Sequence, residues 1–252
     1  MDTFAVGELQ VTALSDGLVR LPPEYFPAAD WTAHQDLFDE DGTIHGPIGC
    51  FLVRTGDQTV LVDAGLGDLD IGGFMVGGAL PAELAAAGVT PADIDLVVCT
   101  HLHIDHAGWL VADGEPYFAN ATVRFGRGDW AQLVEDVAPD NSIRVAMERL
   151  ASLDRIDPID GDGVNLAPGI TSRAAPGHTH GHAVLVLSSG DDRAVLLGDA
   201  VTCPVQLTEP DWQGISDVDP DLAARTREAL WRELEGTSTR AVGAHFPGLG
   251  FG

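Results

Sequence analysis

A mixed α/β fold, with two β-sheets packed against each other and covered by helices, is what the order of elements in this chain predicts. Three observations lead there. Strand-like and helix-like segments are interspersed without a regular βαβ alternation, hairpin signals lie towards both ends, and no repeat, low-complexity tract or linker interrupts the 252 residues. At about 100–200 residues per domain the length admits one or two domains, and its continuity favours a single domain over residues 1–252.

Each element has its own warrant. Residues 49–54 and 59–63 are rich in β-formers and flank Thr55-Gly56-Asp57-Gln58, which reads as a hairpin turn. Residues 81–87 are Ala/Leu-rich, opened by Pro81 and closed by Gly88, hence a short helix. Ile94 to Cys99 is a continuous apolar run, as expected of a strand buried on both faces. A strand at 121–125, helical patterns at 128–136 and 141–153, and strands at 170–175, 183–188 and 194–198 follow, the last two joined by Ser189-Gly190-Asp191-Asp192. Asp219 and Pro220 supply an N-cap and a first-turn proline for a helix to about Glu235, with Leu222, Thr226, Leu230 and Leu234 along one face. A strand from Thr239 to Ala244 ends at His245. Segments 22–47 and 64–80 are Gly/Pro/Asp-rich and too long for simple connections, so lids or pocket walls are expected there.

Composition narrows the function. Acidic residues number 39 against 13 basic ones, all of the latter Arg, for a net charge of −26. Such a field repels polyanions, so neither nucleic acid nor an anionic membrane is an expected partner. No window approaches the roughly 18 apolar residues of a membrane span, and the start Met1-Asp2-Thr3-Phe4 lacks a basic n-region before an apolar stretch, so the expected location is cytoplasmic. Cys50, Cys99 and Cys203 are odd in number, far apart and near apolar sequence, which reads as buried thiols.

The chemistry concentrates at strand ends. His101, His103, Asp105 and His106 follow the 94–99 strand, Pro176-Gly177-His178-Thr179-His180-Gly181-His182 follows the 170–175 strand, Asp199 follows the 194–198 strand and His245 the last. Strand ends at one rim converge, and alternation places His101 and His103 on one side of an extended segment. A catalytic four-coordinate zinc takes about three protein ligands and keeps one open position. One centre can use His101, His103 and a histidine of the 176–182 segment; a second can use Asp105, His106 and His245; Asp199 is left to bridge. Spacing alone leaves His178, His180 and His182 open, the two unused being expected to support the ligands. His34 and His45 are read as ordinary histidines outside the site.

These motifs, in this order, resemble those of the metallo-β-lactamase-fold hydrolase superfamily. The similarity covers roughly residues 45–248 and is carried by His101-Leu102-His103-Ile104-Asp105-His106, the Pro176–His182 segment, Gly198-Asp199-Ala200 and His245-Phe246-Pro247. It implies an αββα sandwich with a dinuclear site, selects His178 as the ligand and leaves His182 in a supporting role. It also points to Asp63 of Val62-Asp63-Ala64-Gly65 as a residue that orients a ligand without binding metal. Acyl-homoserine lactonases resemble the chain in all the metal motifs but place a substrate-assisting tyrosine three residues beyond the bridging aspartate, where this chain has Thr202. Flavodiiron proteins differ at His103, where they carry Glu, and glyoxalase II-like enzymes in the Gly-Gly that here is Gly108-Trp109.

The expected function is metal-dependent hydrolysis of a carboxylic ester or lactone by a hydroxide held between two divalent cations, zinc first, manganese or iron as alternatives. Asp105 is the candidate proton carrier to the leaving group. Trp109, Phe118, Phe74 and Thr202 are candidate pocket residues, with Tyr25, Phe26, Trp31 and Tyr117 as further aromatic wall. The absence of an evident Arg cluster favours an uncharged ester over a phosphomonoester. Phosphotriester, phosphodiester or thioester hydrolysis on the same fold is the alternative within this class. From another class comes a mononuclear iron dioxygenase resembling the persulfide dioxygenases, its iron held by His101, His103 or His178 and an aspartate. The expected partner is a small-molecule substrate; a homodimer is compatible with the sequence.

Overall fold

The computed structural model describes residues 2–250. In chain order it runs β1 (Thr3–Val6), β2 (Leu9–Leu21), β3 (Ile44–Arg54), β4 (Thr59–Val62), β5 (Asp70–Ile71), β6 (Met75–Val76), α1 (Leu80–Ala86), β7 (Leu96–Val98), α2 (Ile104–Ala107), β8 (Val111–Ala112) and β9 (Glu115–Pro116). There follow β10 (Thr122–Arg124), α3 (Gly128–Trp130), α4 (Ser142–Ser152), β11 (Val164–Ala167), β12 (Ile170–Ala174), β13 (Ala183–Ser189), β14 (Asp192–Gly198), α5 (Pro220–Leu234) and β15 (Arg240–Gly243).

One large sheet has the order β10-β7-β4-β3-β2-β6-β5 with β1 on β2, the second β11-β12-β13-β14-β15, and β8 and β9 pair as a small separate sheet. Alternation along the first sheet sends Val11, Phe51, Val53, Val62 and Val98 to the inner face, where they meet Ile170, Leu185, Leu187 and Leu196 of the second. The opposite set, Leu14, Leu52, Leu61 and Val97, packs beneath Leu80 and Leu84 of α1 and Met147 and Leu150 of α4. Leu230 of α5 packs with the inner cluster. The result is the αββα sandwich the motifs implied. Each fully buried Leu or Phe contributes roughly 1.5–3 kcal/mol relative to exposure.

The structure departs locally from the sequence reading. The longest strand, β2, spans a stretch to which no element was assigned; its Ser15-Asp16-Gly17, turn-like in composition, forms a bulge where pairing with β3 shifts register. The helix expected over 128–136 begins as α3 and widens into a π-turn at Ala131–Glu135. In α5 the expected Leu230 is buried and Leu234 packs against the same cluster, and the buried face widens to Ala223 and to Arg227, which turns inward to an aspartate. Segments 22–47 and 64–80 are more ordered than expected: residues 44–47 extend β3, and β5 and β6 form a hairpin against β2.

Candidate metal centre and its pocket

β7 sits between β4 and β10 in parallel register and releases the chain at Cys99 and Thr100 on the rim. His101 follows, fully buried; His103 is half-buried; α2 then turns Asp105 and His106 back towards the same point. The 175–182 loop brings His178 from the end of β12, the end of β14 brings Asp199, and the end of β15 brings His245. Gly198, with φ +51°, makes the turn before Asp199; a Cβ there would stand 2.8 Å from both the Thr100 side chain and His182 Nε2.

The facing atoms are close. His103 Nδ1 lies 2.9 Å from His101 Nε2 and 3.1 Å from His178 Nε2. On the other side His245 Nε2 is 3.4 Å from Asp105 Oδ2, and His106 Nε2 is 3.6 Å from that same oxygen. Asp199 stands between: Oδ1 is 3.5 Å from His106 Nε2 and 3.3 Å from His245 Nε2, while Oδ2 is 3.5 Å from His178 Nε2. His101–His103–His178, His101–His106–Asp199 and Asp105–His106–His245 each gather one ligand atom per residue within 4.8 Å. His106 Nε2 and Asp199 Oδ1 are buried with no hydrogen-bond partner. An unpaired buried polar atom costs about 1–3 kcal/mol, which a cation bound to its lone pair offsets. Orphaned lone pairs and an imidazole–carboxylate donor set fit divalent metal ions.

The outer ring nitrogens are occupied, which aims the inner ones. Thr100 Oγ1 is 3.1 Å from His101 Nδ1, Asp63 Oδ2 2.9 Å from His106 Nδ1, Asp217 Oδ1 3.0 Å from His178 Nδ1, and Pro47 O 2.8 Å from His245 Nδ1. Asp63 also accepts the Thr100 N–H at 2.7 Å. His182 Nε2 accepts the backbone N–H of Asp199 at 3.0 Å, so it holds the aspartate rather than joining the cluster. His180 is exposed and lines a different cavity, beside Arg127. His34 pairs with Glu209 and His45 with Asp39 and Asp41, both away from the rim.

Electrostatics divides the cluster. Burial, reinforced by neighbouring imidazoles, pushes His101 well below the usual histidine range and His103 down to about 4. For His106 and His245 burial acts in the same direction but is overcome by carboxylates: Asp105, Asp63 and Asp199 raise His106 well above its ordinary value, and Asp199 and Asp105 raise His245 to about 9. Burial would raise Asp199, yet His245 and His106 hold it well below the usual carboxylate range.

A cavity of about 300 Å³ opens onto these atoms. Its floor is His103, Asp105, His178, Asp199 and His245; its walls are Val19, Leu21, Tyr25, Phe74, Met75, Thr202, Ile215 and Ser216. Phe74 and Thr202, expected as pocket residues, line this cavity. Trp109 and Phe118 do not: Trp109 donates its indole N–H to Asp16 Oδ1 at 2.9 Å and packs on Tyr117, and Phe118 is buried in the core under α4. Both follow the metal motif in sequence, but α2 reverses the chain and carries them behind it. Phe26 and Trp31 pack with Trp212 beneath the wall. The Tyr25 hydroxyl hydrogen-bonds Ser216 and Thr202 in the cavity wall.

Three residues escaped the sequence reading. Asp217, buried and paired with Arg227 at 3.3 Å, orients His178; nothing in Asp217-Val218-Asp219-Pro220 distinguishes it from the helix cap beside it. Asp129, fully buried, accepts the backbone N–H groups of Leu102 and Gly181 and so ties two ligand loops together. Asp16 stands under the 64–80 segment. In each case the only legible signal is a single acidic residue, too common in this composition to stand out.

Comparison with known proteins gives the family. The family model of the metallo-beta-lactamase superfamily matches residues 44–112 and 115–242, and the chain belongs to that superfamily. An N-acyl homoserine lactonase from Bacillus sp. is 28% identical over 174 residues, 60% of this chain and 62% of the relative. A probable metallo-hydrolase of Mycobacterium tuberculosis is 32% identical over 181 residues, 59% of this chain and 55% of the relative. The chain therefore spans less than two thirds of the length of these curated relatives. Among solved structures, the dizinc quorum-quenching lactonase AidC, in complex with a product, superposes with a TM-score of 0.87 at 24% identity, covering 100% of this chain and 92% of that one. At that identity the likeness concerns the fold. Among the described residues no helix is long and apolar enough to cross a membrane.

Proposed function

We propose that the protein is a metal-dependent hydrolase of uncharged carboxylic esters or lactones, with N-acyl homoserine lactones as the first candidates. The observation that carries this reading is the composition of the cavity: an apolar wall over a floor of His and Asp ligand atoms, with no arginine lining it among the described residues. An apolar acyl group suits that wall; a phosphate dianion would find no arginine there. The names of the Bacillus relative and of AidC lend the lactone its place in the proposal.

His101, His103 and His178 would hold one divalent cation, Asp105, His106 and His245 the second, and Asp199 both, with zinc the first candidate. When bound, such a pair supplies a water of lowered pKa and polarises the carbonyl it attacks. The chain's residues do the rest. Val19, Leu21, Phe74, Met75 and Ile215 bind the acyl group and exclude bulk water. Asp105, in the floor of the cavity, carries the proton to the alkoxide oxygen as the acyl C–O bond breaks. Tyr25, raised above the ordinary phenol range by burial and by Asp199, keeps its proton and donates to the substrate oxygen. The Asp105–His106–His245 group favours two ions over the single iron of an oxygenase.

The test is a panel of acyl-homoserine lactones, aryl esters, thioesters, phosphotriesters and phosphodiesters against zinc-, manganese- and iron-loaded protein, with metal counted per chain. Two ions and turnover of lactones or esters are expected. Turnover confined to phosphotriesters would replace the substrate class, and one iron with oxygen uptake would replace the reaction.

A further inference from the structure

Asp16 is fully buried, and no arginine is paired with its carboxylate in the structure described above. The bulge in β2 turns it under the segment that follows β4. Its Oδ2 accepts the backbone N–H groups of Leu66 at 2.7 Å and Gly67 at 3.2 Å; its Oδ1 accepts those of Gly78 at 3.2 Å and Leu80 at 2.7 Å, and the Trp109 indole N–H at 2.9 Å. Its own carbonyl accepts the N–H of Ala79 at 2.8 Å. Gly65, at φ +58°, leaves the room this needs, since a Cβ there would stand 2.4 Å from Oδ2.

The donors belong to three pieces of chain with different tasks. Leu66 and Gly67 open, and Gly78 and Leu80 close, the segment whose hairpin carries Phe74 and Met75 into the pocket wall. Trp109 follows the helical turn that carries Asp105 and His106. The first and last pieces also touch directly: Ala64 N–H donates to His106 O at 2.7 Å, Gly108 N–H to Gly65 O at 2.7 Å and Trp109 N–H to Ala64 O at 2.9 Å. One carboxylate thus gathers both ends of the apolar wall and the exit of α2 on a pair of oxygen atoms.

We propose that Asp16 is a positioning residue that locks the Leu66–Leu80 pocket wall to the turn bearing Asp105 and His106, and through that lock sets discrimination by acyl-chain length. The second half rests on the ester or lactone reading of the pocket; the first does not. Two oxygens are required because donors approach both, and an amide would turn an NH₂ group towards one set of N–H donors.

The experiment compares zinc-loaded wild type and Asp16→Asn by amide hydrogen exchange and by KM across acyl-homoserine lactones of increasing chain length. The lock predicts exchange faster by about tenfold or more in both 66–80 and 104–109, with β12–β14 unaffected. It also predicts that the long-chain to short-chain KM preference shrinks by about tenfold, the worth of one or two methylene contacts. Faster exchange in only one segment, or an intact chain-length preference, overturns the proposal; a scaffold role alone would lower the melting temperature and leave that preference unmoved. Should Asp16→Asn not fold, Trp109→Phe removes one donor of the set, and unchanged exchange at Gly78 and Leu80 overturns the lock. If wild type hydrolyses no lactone or ester, the proposed function fails, and exchange in the two segments still decides the lock.

Discussion

The two halves of the ligand cluster share one rim and differ in charge. The half built from His101, His103 and His178 has imidazoles at the facing positions, and burial and mutual repulsion push His101 and His103 down, so their lone pairs are free at neutral pH. The half built from Asp105, His106 and His245 carries its own counter-charge, and the carboxylates hold protons on both imidazoles. A cation binding His101 and His103 displaces no proton from them; one binding His106 and His245 must. The difference teaches that a symmetrical ligand count can conceal two sites of unequal pH dependence, with Asp199 belonging to both.

The largest effect is expected where the halves meet. Asp199→Ala removes the oxygen facing His106 and His245 and the one facing His178. Bound zinc should fall to one ion per chain or none, and lactone or ester hydrolysis by at least on the order of 10³-fold, with far-UV circular dichroism retained. Two ions and full turnover in that variant would break the division at its centre.

Next come paired variants that address each half. His103→Ala should cost the imidazole-only half its ion and His245→Ala the mixed half its ion, each leaving about one zinc by elemental analysis. Loss of both ions from either would show that the halves fill only together, sharpening the comparison into a cooperative one.

A smaller effect separates them by pH. In metal-free protein, His245 titrates near 9, above its unfolded value of about 6.5, so its stabilising contribution is fully present below about pH 6.5 and is lost as pH rises through 9. His103, down at about 4, acts oppositely: the unfolded chain takes up its proton first, and stability falls as pH drops from about 6.5 towards 4. Thermal melts of metal-free protein should therefore peak between these limits; zinc, which displaces the proton held on His245, should flatten the alkaline flank and leave the acid flank in place. An alkaline flank that persists unchanged in the loaded form would place its titrating group elsewhere.

How much of this was legible depended on whether the signal was local. The His101–His106 run, the apolar run of β7 and the hairpin between β3 and β4 are contiguous in sequence; the structure forms the strand and the hairpin as read and gathers the side chains of the run at one rim. Asp16, Asp129 and Asp217 act through partners far along the chain, Leu66 to Trp109, Leu102 with Gly181, and His178 with Arg227, and no period or spacing encodes such pairs. Trp109 and Phe118 show the converse: nearness in sequence to a ligand motif put them in the pocket, and a four-residue helix turned them away from it.

The smallest expected effect is a control on the whole comparison. Phe74 lines the cavity from the β5–β6 hairpin, 37% exposed, and contacts neither half through any hydrogen bond or ion pair described above. Phe74→Ala removes apolar wall and no ligand support, so zinc content and both pH flanks should match wild type. Losing part of an aromatic contact for the acyl group should raise KM for a medium-chain lactone by about three- to tenfold with kcat little changed, the pattern of lost uniform binding. A fall in kcat instead would mean that the wall reaches the reacting atoms, and a fall in zinc would mean that it braces the ligands; either would end the separation between what grips the substrate and what holds the cations.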